Sequence, residues 1–155
     1  MALLNVLDRC DEPLRLLDAA LNAMRPDGVL LLATVLPFCP MVYEAVFGKV
    51  GAHRAPKRPL RLPAALQCRM VKLGKEGDQY ILDESALDKS RFAEHISGFV
   101  AATIGALPLR VAAWTRVPYL SSGTIDKAYY HLDNAFLVLR RTATARGTSH
   151  AKRQP

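Results

Sequence analysis

Residues 11–36, DEPLRLLDAALNAMRPDGVLLLATVL, decide the fold. Asp11 is placed to cap a helix, with Glu12 behind it and Pro13 in the first turn, where proline's missing N–H leaves no hydrogen bond unmade. Leu14, Leu17, Leu21 and Met24 recur at three- and four-residue steps and lay one apolar stripe along the helix. Arg25-Pro26-Asp27-Gly28 closes it with a cation in the last turn, a proline and a turn glycine. Val29 to Leu36 comes next as an apolar run without alternation, the pattern of a strand covered on both faces. Pro37 and Pro40 end that strand. Helix, tight turn and buried strand form one αβ unit of a doubly wound sheet, which places the chain in the α/β class.

Outward from this unit the pattern is less regular. From Met41 to Asp88 the periodicity degrades: Pro56, Pro59 and Pro63 interrupt a basic stretch, and Gly74, Gly77 and Asp78 break the residues after it. This predicts a long irregular insert over about 41–88 with room for one short helix; Tyr80-Ile81-Leu82 is too short to assign. Order returns at Ser90, a plausible cap, after which Phe92, Ile96, Phe99, Val100, Thr103, Ile104 and Leu107 line one helical face until Pro108 stops it. Leu109 to Val117 and Ala135 to Leu139 read as strands, joined by a Tyr-, Ser- and Gly-rich connection over Pro118 to Asp133. A parallel crossover needs a helix, and this connection has no clear one, so the two strands are expected to pair antiparallel. The expected organisation is one domain over residues 1–140 and a disordered basic tail over 141–155.

Composition narrows the classes. Half of the 155 residues are hydrophobic and 23% are charged, which is globular composition. The longest apolar run is strand-sized, so no membrane association is expected. The start, MALLNVLDRCDEP, has no basic n-region and is a poor signal peptide. Cys10, Cys39 and Cys68 lack metal-ligand spacing and are read as reduced thiols of an intracellular, by default cytoplasmic, protein. No metal site is expected. The net charge of +7 is unevenly placed, with eight basic and no acidic residues from Lys49 to Lys75, and five more basic ones from Arg140 onward. Such segments can meet phosphate backbones or stay solvated. No nucleic-acid reader motif accompanies them, so nucleic acid is not the expected partner. His53, His95, His131 and His150 have no ligand spacing, and His95, beside the second helix's apolar face, is read as structural.

Three blocks carry a family resemblance. Leu4-Asn5-Val6-Leu7-Asp8-Arg9-Cys10, followed by Asp11-Glu12-Pro13-Leu14, resembles the loop after the fourth strand of the DREV (methyltransferase-like protein 9) family. Val35-Leu36-Pro37-Phe38, with Pro40, is similar to the end of that family's fifth strand. Thr115 to Leu120, then Gly123, Tyr129-Tyr130, Leu132-Asp133 and Ala135, is similar to its closing segment. The blocks cover roughly half the chain, whereas the 41–88 insert and the tail match poorly.

The resemblance implies the class I methyltransferase fold, a Rossmann-like sheet of which this chain would hold strands five to seven with flanking helices. It implies S-adenosylmethionine as cofactor, and methyl transfer to a histidine ring nitrogen in protein substrates carrying His-x-His motifs. On that implication Asp8 is the catalytic candidate, accepting the proton on the distal ring nitrogen and so fixing the tautomer. Asn5 is the candidate for hydrogen bonding near the cofactor or the ring. Tyr119 and Tyr130 would wall the target imidazole, with a phenol available for hydrogen bonding. Arg9 binds substrate backbone or pairs with a carboxylate. The family's glycine-rich turn and its acidic residue for the ribose have no counterpart here. The chain therefore reads as the carboxyl-terminal half, a fragment expected to be inactive alone, with a partner supplying the missing half. The alternatives are a non-catalytic remnant that binds protein and, last, a basic nucleic-acid-associated module.

Overall fold

A computed structural model describes residues 1–44, 52–54, 56–63, 70–73, 79–82, 89–122 and 129–142. The chain runs through β1 (Ala2–Leu4), a 3-10 turn (Leu7–Arg9), α1 (Pro13–Ala23), β2 (Val29–Leu36), β3 (Val42–Glu44), β4 (Ala52–Arg54), β5 (Met70–Leu73), β6 (Gln79–Leu82), a 3-10 turn (Lys89–Arg91), α2 (Phe92–Thr103), β7 (Leu109–Ser122) and β8 (Tyr129–Arg141). The main sheet has four strands in the order β1-β2-β8-β7. β1 runs parallel to β2, while β8 is antiparallel to both β2 and β7. The result is an α/β fold with a mixed sheet, compatible with part of a Rossmann-like domain. It has one strand more than the three expected, because Ala2–Leu4 pairs in parallel with Leu31–Ala33.

The strand register divides the sheet into two unlike faces. Leu30, Leu32, Thr34 and Leu36 stand opposite Leu139, Leu137, Ala135 and Asp133. Directly paired residues share a face, and both helices pack on this one. Leu17, Leu21 and Met24 of α1 and Phe92, Ile96 and Phe99 of α2 join the β2 and β8 leucines in one core. Leu17, Leu30, Leu32, Leu137 and Leu139 are fully buried, each contributing about 2 kcal/mol against an exposed position. Arg141 ties the helix layer to the sheet, its guanidinium donating to the carbonyls of Leu21 and Met24 at the end of α1. The opposite face carries Val29, Leu31, Val35, Phe136 and Val138, all only half-buried. Among the described residues no helix covers it.

Several local expectations change. Asp11 does not cap α1: Glu12 is the cap residue, and no side chain bonds the free N–H groups. The Asp11 carboxylate instead accepts from the backbone N–H of Lys57. Leu14 points to solvent, and the buried stripe is Pro13, Leu17, Ala20 and Leu21. Ser90 lies inside the 3-10 turn, and Arg91, paired with Glu94, occupies the cap position of α2. Gly28 sits where a Cβ would meet the Arg25 carbonyl at 2.9 Å, which explains a glycine at this turn. The last two strands pair antiparallel as expected but extend much further, over Leu109–Ser122 and Tyr129–Arg141, so most of the expected connection is strand and Arg141 belongs to the sheet. Residues 143–155, the rest of the expected tail, lie outside the described residues.

The insert is more regular than its sequence suggests. β3 pairs with β4 and β5 with β6, each antiparallel. Residues 56–62 are tied to the body by Leu60 and Leu62, which belong to the core. Cys39 is disulfide-bonded, which corrects the expectation of three reduced thiols and removes that argument for an intracellular compartment. Cys10 is a free thiol; Cys68 lies outside the described residues. No helix among the described residues is long and apolar enough to cross a membrane.

Candidate functional site

In open α/β sheets, ligands bind beyond the carboxyl ends of the parallel strands, where side chains leave the sheet and backbone groups face outward. Here that end is formed by Leu4 of β1 and Leu36 of β2. Asn5 follows β1 with φ +52, a left-handed conformation that asparagine tolerates better than most residues. It turns the chain off the sheet while its N–H still donates to Ala33 at 2.9 Å. The Asn5 Oδ1 is buried and accepts no hydrogen bond.

Leu7, fully buried, pins the next turn and carries Asp8 inward with it. Asp8 is 3% exposed. One carboxylate oxygen lies 3.3 Å from the Arg9 Nε, and the other is buried with no hydrogen-bond partner. Burial pushes this carboxyl above the ordinary aspartate value of 3.8, with Arg9 opposing the rise. A buried carboxylate oxygen left without a donor is costly, and a water, an ion or a ligand group would complete its bonding. Arg9 keeps its guanidinium partly exposed beside it.

The loop is held from outside by the insert. The Asp8 carbonyl accepts from Met41 N–H at 2.6 Å, and the Asp11 carbonyl from Arg58 N–H at 2.9 Å. Lys57 and Arg58 also lie 3.8 and 3.9 Å from the Asp11 and Glu12 carboxylates. Part of the basic insert is thus the outer wall of the Asp8 loop.

The antiparallel pair adds a second group of polar residues at the same end. Thr34 is fully buried with an unbonded hydroxyl, and Asn134, opposite Val35, is buried with an unbonded Oδ1. Asp133, opposite Leu36, is buried and accepts from Arg116 at 2.7 Å. Hydrogen bonding to Asp133 raises the Arg116 pKa, so this guanidinium stays charged. It also lies 4.8 Å from the Phe92 ring and joins the sheet end to α2. Sequence reasoning missed Thr34, Asp133 and Asn134 as site-end polar groups. The signal was present, since Thr34 is the one hydroxyl in the β2 run and Asp133-Asn134 immediately precede an apolar strand, but only the register brings Thr34 and Asp133 to one face at this end, with Asn134 on the other.

Of the residues expected at the site, Asn5, Asp8 and Arg9 come together in one loop. Tyr119 and Tyr130 are placed across the sheet: Tyr119 pairs with Leu132 and Ser121 with Tyr130, beyond the Asp133 position that matches the end of β2. By the alternation along the strand, positions 119 and 130 fall on the sheet face opposite Asp133 and the helices, so the register does not bring them together with the Asp8 loop. Among the described residues there is no cluster of His, Cys, Asp and Glu that could hold a metal ion.

Residues 1–62 match the family model of the DREV methyltransferases. The match takes in Asn5, Asp8, Arg9, the whole αβ unit and the insert as far as Leu62. The first two sequence blocks are therefore confirmed as DREV-like. Residues 41–62, expected to match the family poorly, fall inside the matched stretch. The block from Thr115 to Ala135 lies outside it. A methyltransferase-like function is what this match supports.

Proposed function

We propose, with the DREV methyltransferase match as premise, that this chain forms the substrate side of an S-adenosylmethionine-dependent methyltransferase acting on a histidine ring nitrogen in His-x-His-containing proteins. One observation carries the reading: Asp8 is a buried carboxylate with an unbonded oxygen, in the loop after the parallel edge strand. A neutral imidazole is already a nucleophile, so catalysis requires alignment and a single tautomer more than a strong base. The free Asp8 oxygen would accept the distal N–H, leave the near nitrogen's lone pair available, and stabilise the charge that develops on the ring. Burial raises the carboxyl's proton affinity and so strengthens it as an acceptor for the ring proton. Arg9, already beside Asp8, keeps that carboxylate oriented.

The fit to the cofactor is partial. When bound, S-adenosylmethionine supplies an electrophilic methyl group on a sulfonium. The buried, unbonded Asn5 Oδ1 is an acceptor suited to one of its N–H donors. The described residues offer no glycine-rich turn for backbone approach. We take the rest of the cofactor site to be supplied by residues outside this chain.

The test is transfer of labelled methyl groups to a His-Ala-His peptide by the chain alone and with a glycine-rich DREV half supplied in trans. Transfer is expected only in the complemented reaction and only on histidine. Asp8→Asn should lower kcat by about 10²–10⁴-fold with little change in KM. Methylation of another residue type, or an Asp8→Asn variant as active as the parent, refutes the reading. The half-buried apolar face favours a second reading, a non-catalytic chain that binds a protein partner. That reading predicts a stable complex that transfers no methyl groups.

A further inference from the structure

The basic insert contains a built groove beside the Asp8 loop. It is about 310 Å³ in volume and lined by Phe38, Pro40, Pro59, Leu60, Arg61 and Leu62. Both walls are fixed. Phe38 is fully buried and packs on Phe99 with ring centroids 5.4 Å apart. Pro40 immediately precedes Met41, whose N–H binds the Asp8 carbonyl. On the other wall Leu60 and Leu62 are 5% and 7% exposed, with Asp11 holding the backbone N–H groups of Lys57 and Arg58. The Leu62 N–H donates to the Leu60 carbonyl at 3.1 Å, closing a three-residue turn with Arg61 at its tip. Arg61 is exposed, and among the described residues no carboxylate pairs with it. The nearby cations differ in this respect, since Lys57 and Arg58 lie against Asp11 and Glu12.

We propose that this groove selects the protein substrate: it takes a bulky apolar side chain next to the target segment, and Arg61 takes an adjacent Asp or Glu carboxylate. The inference rests on the proposed function for the presence of a protein substrate, and on the groove for its chemistry. A stiff, apolar, proline-bounded slot offers little to a phosphate backbone, which needs a line of donors. It suits a leucine-sized side chain, and a guanidinium at the rim suits a planar carboxylate. Proline and core anchoring fix the groove before binding, so little ordering cost is left for the complex.

The experiment is fluorescence anisotropy without cofactor, using two fluorescein-labelled peptides that share a His-Ala-His core. One carries a Leu-Asp-Glu flank and the other Leu-Lys-Lys. The acidic peptide should bind about fivefold tighter, the range of one exposed charge pair, and salt should erode the difference. Arg61→Glu should invert the preference, and Arg61→Gln should abolish it; Arg61 is exposed at a turn tip, so neither variant removes a core contact. Equal binding of the two peptides, or a preference that survives both substitutions, overturns the proposal. Displacement of the acidic peptide by single-stranded RNA at the same site also overturns it. The preference should persist when both histidines of the peptides are replaced by alanine. That control separates failure of the groove from failure of the methyl-transfer reading, because it needs neither histidine recognition nor catalysis.

Discussion

Asp8 is a stability liability as well as the centre of the proposed site. Its carboxyl is buried and its pKa is raised, mainly by desolvation, with the Arg9 charge pulling the other way. The folded state therefore binds this proton more tightly than the unfolded state does. Stability from this group is fully present below the unfolded value of about 3.8 and is lost as pH rises through the higher folded value. At neutral pH the fold carries a buried charge with an unbonded oxygen. Asp8→Asn should therefore stabilise the chain at pH 7 by about 1 kcal/mol, and the gain should fade as the pH is brought down toward the carboxylate range. Urea denaturation at neutral and acid pH reads this directly. A variant less stable than the parent at pH 7 would mean that the Arg9 contact outweighs desolvation. Asp8 was legible in the sequence only through the resemblance of its loop to the DREV family. Its burial was not, because Leu7, the turn and the Met41 contact that enclose it are tertiary.

At the scale of elements, legibility followed length and locality. β2 was readable because eight apolar residues in a row leave few alternatives, and α1 because its stripe repeats over several turns. Strands β3 to β6, of three or four residues each, are shorter than any periodicity can register; pairing across a hairpin makes them strands. The Asp11 cap failed for a related reason, since its carboxylate serves a backbone N–H 46 residues away. The long β7–β8 ribbon was shortened in the reading because Pro118, Tyr119, Ser121 and Ser122 look like loop residues. Pro118 is tolerated there because β7 is an edge strand. The insert's segment 56–62 gives the element-scale test. A solvated arm would be indifferent to mutation, whereas a segment anchored by Leu60 should not be. Leu60→Ala should cost about 2–4 kcal/mol, while Arg61→Ala, one residue along and exposed, should be nearly neutral. Thermal unfolding of the two variants distinguishes them, and equal, small effects would return the segment to the surface.

At the scale of the whole molecule, the described residues cover the sheet on one side. Both helices cover the face that carries Leu30, Leu32, Leu137 and Leu139. The other presents Val29, Leu31, Val35, Phe136 and Val138 half-exposed, and Leu4 and Val117 are exposed outright. Sheets containing parallel strands are normally covered on both faces, and an apolar face of this extent is an association surface. β1 adds to this as a strand at the sheet's edge, an available template for further pairing. The isolated chain should therefore bind a hydrophobic dye at neutral pH and self-associate as its concentration rises. Adjacent positions on β8 give the decisive comparison, because a strand sends neighbours to opposite faces. Val138→Lys should reduce dye binding and self-association and change stability by no more than about 0.5 kcal/mol, since the lysine's amine reaches water. Leu137→Lys puts the same charge against Leu32 and the helix layer and should abolish cooperative unfolding. If Val138→Lys unfolds the chain as Leu137→Lys does, the second face is covered within this chain and the one-sided description is wrong. If it leaves a folded chain with less dye binding, the apolar face that the described residues leave open is the surface through which the chain associates.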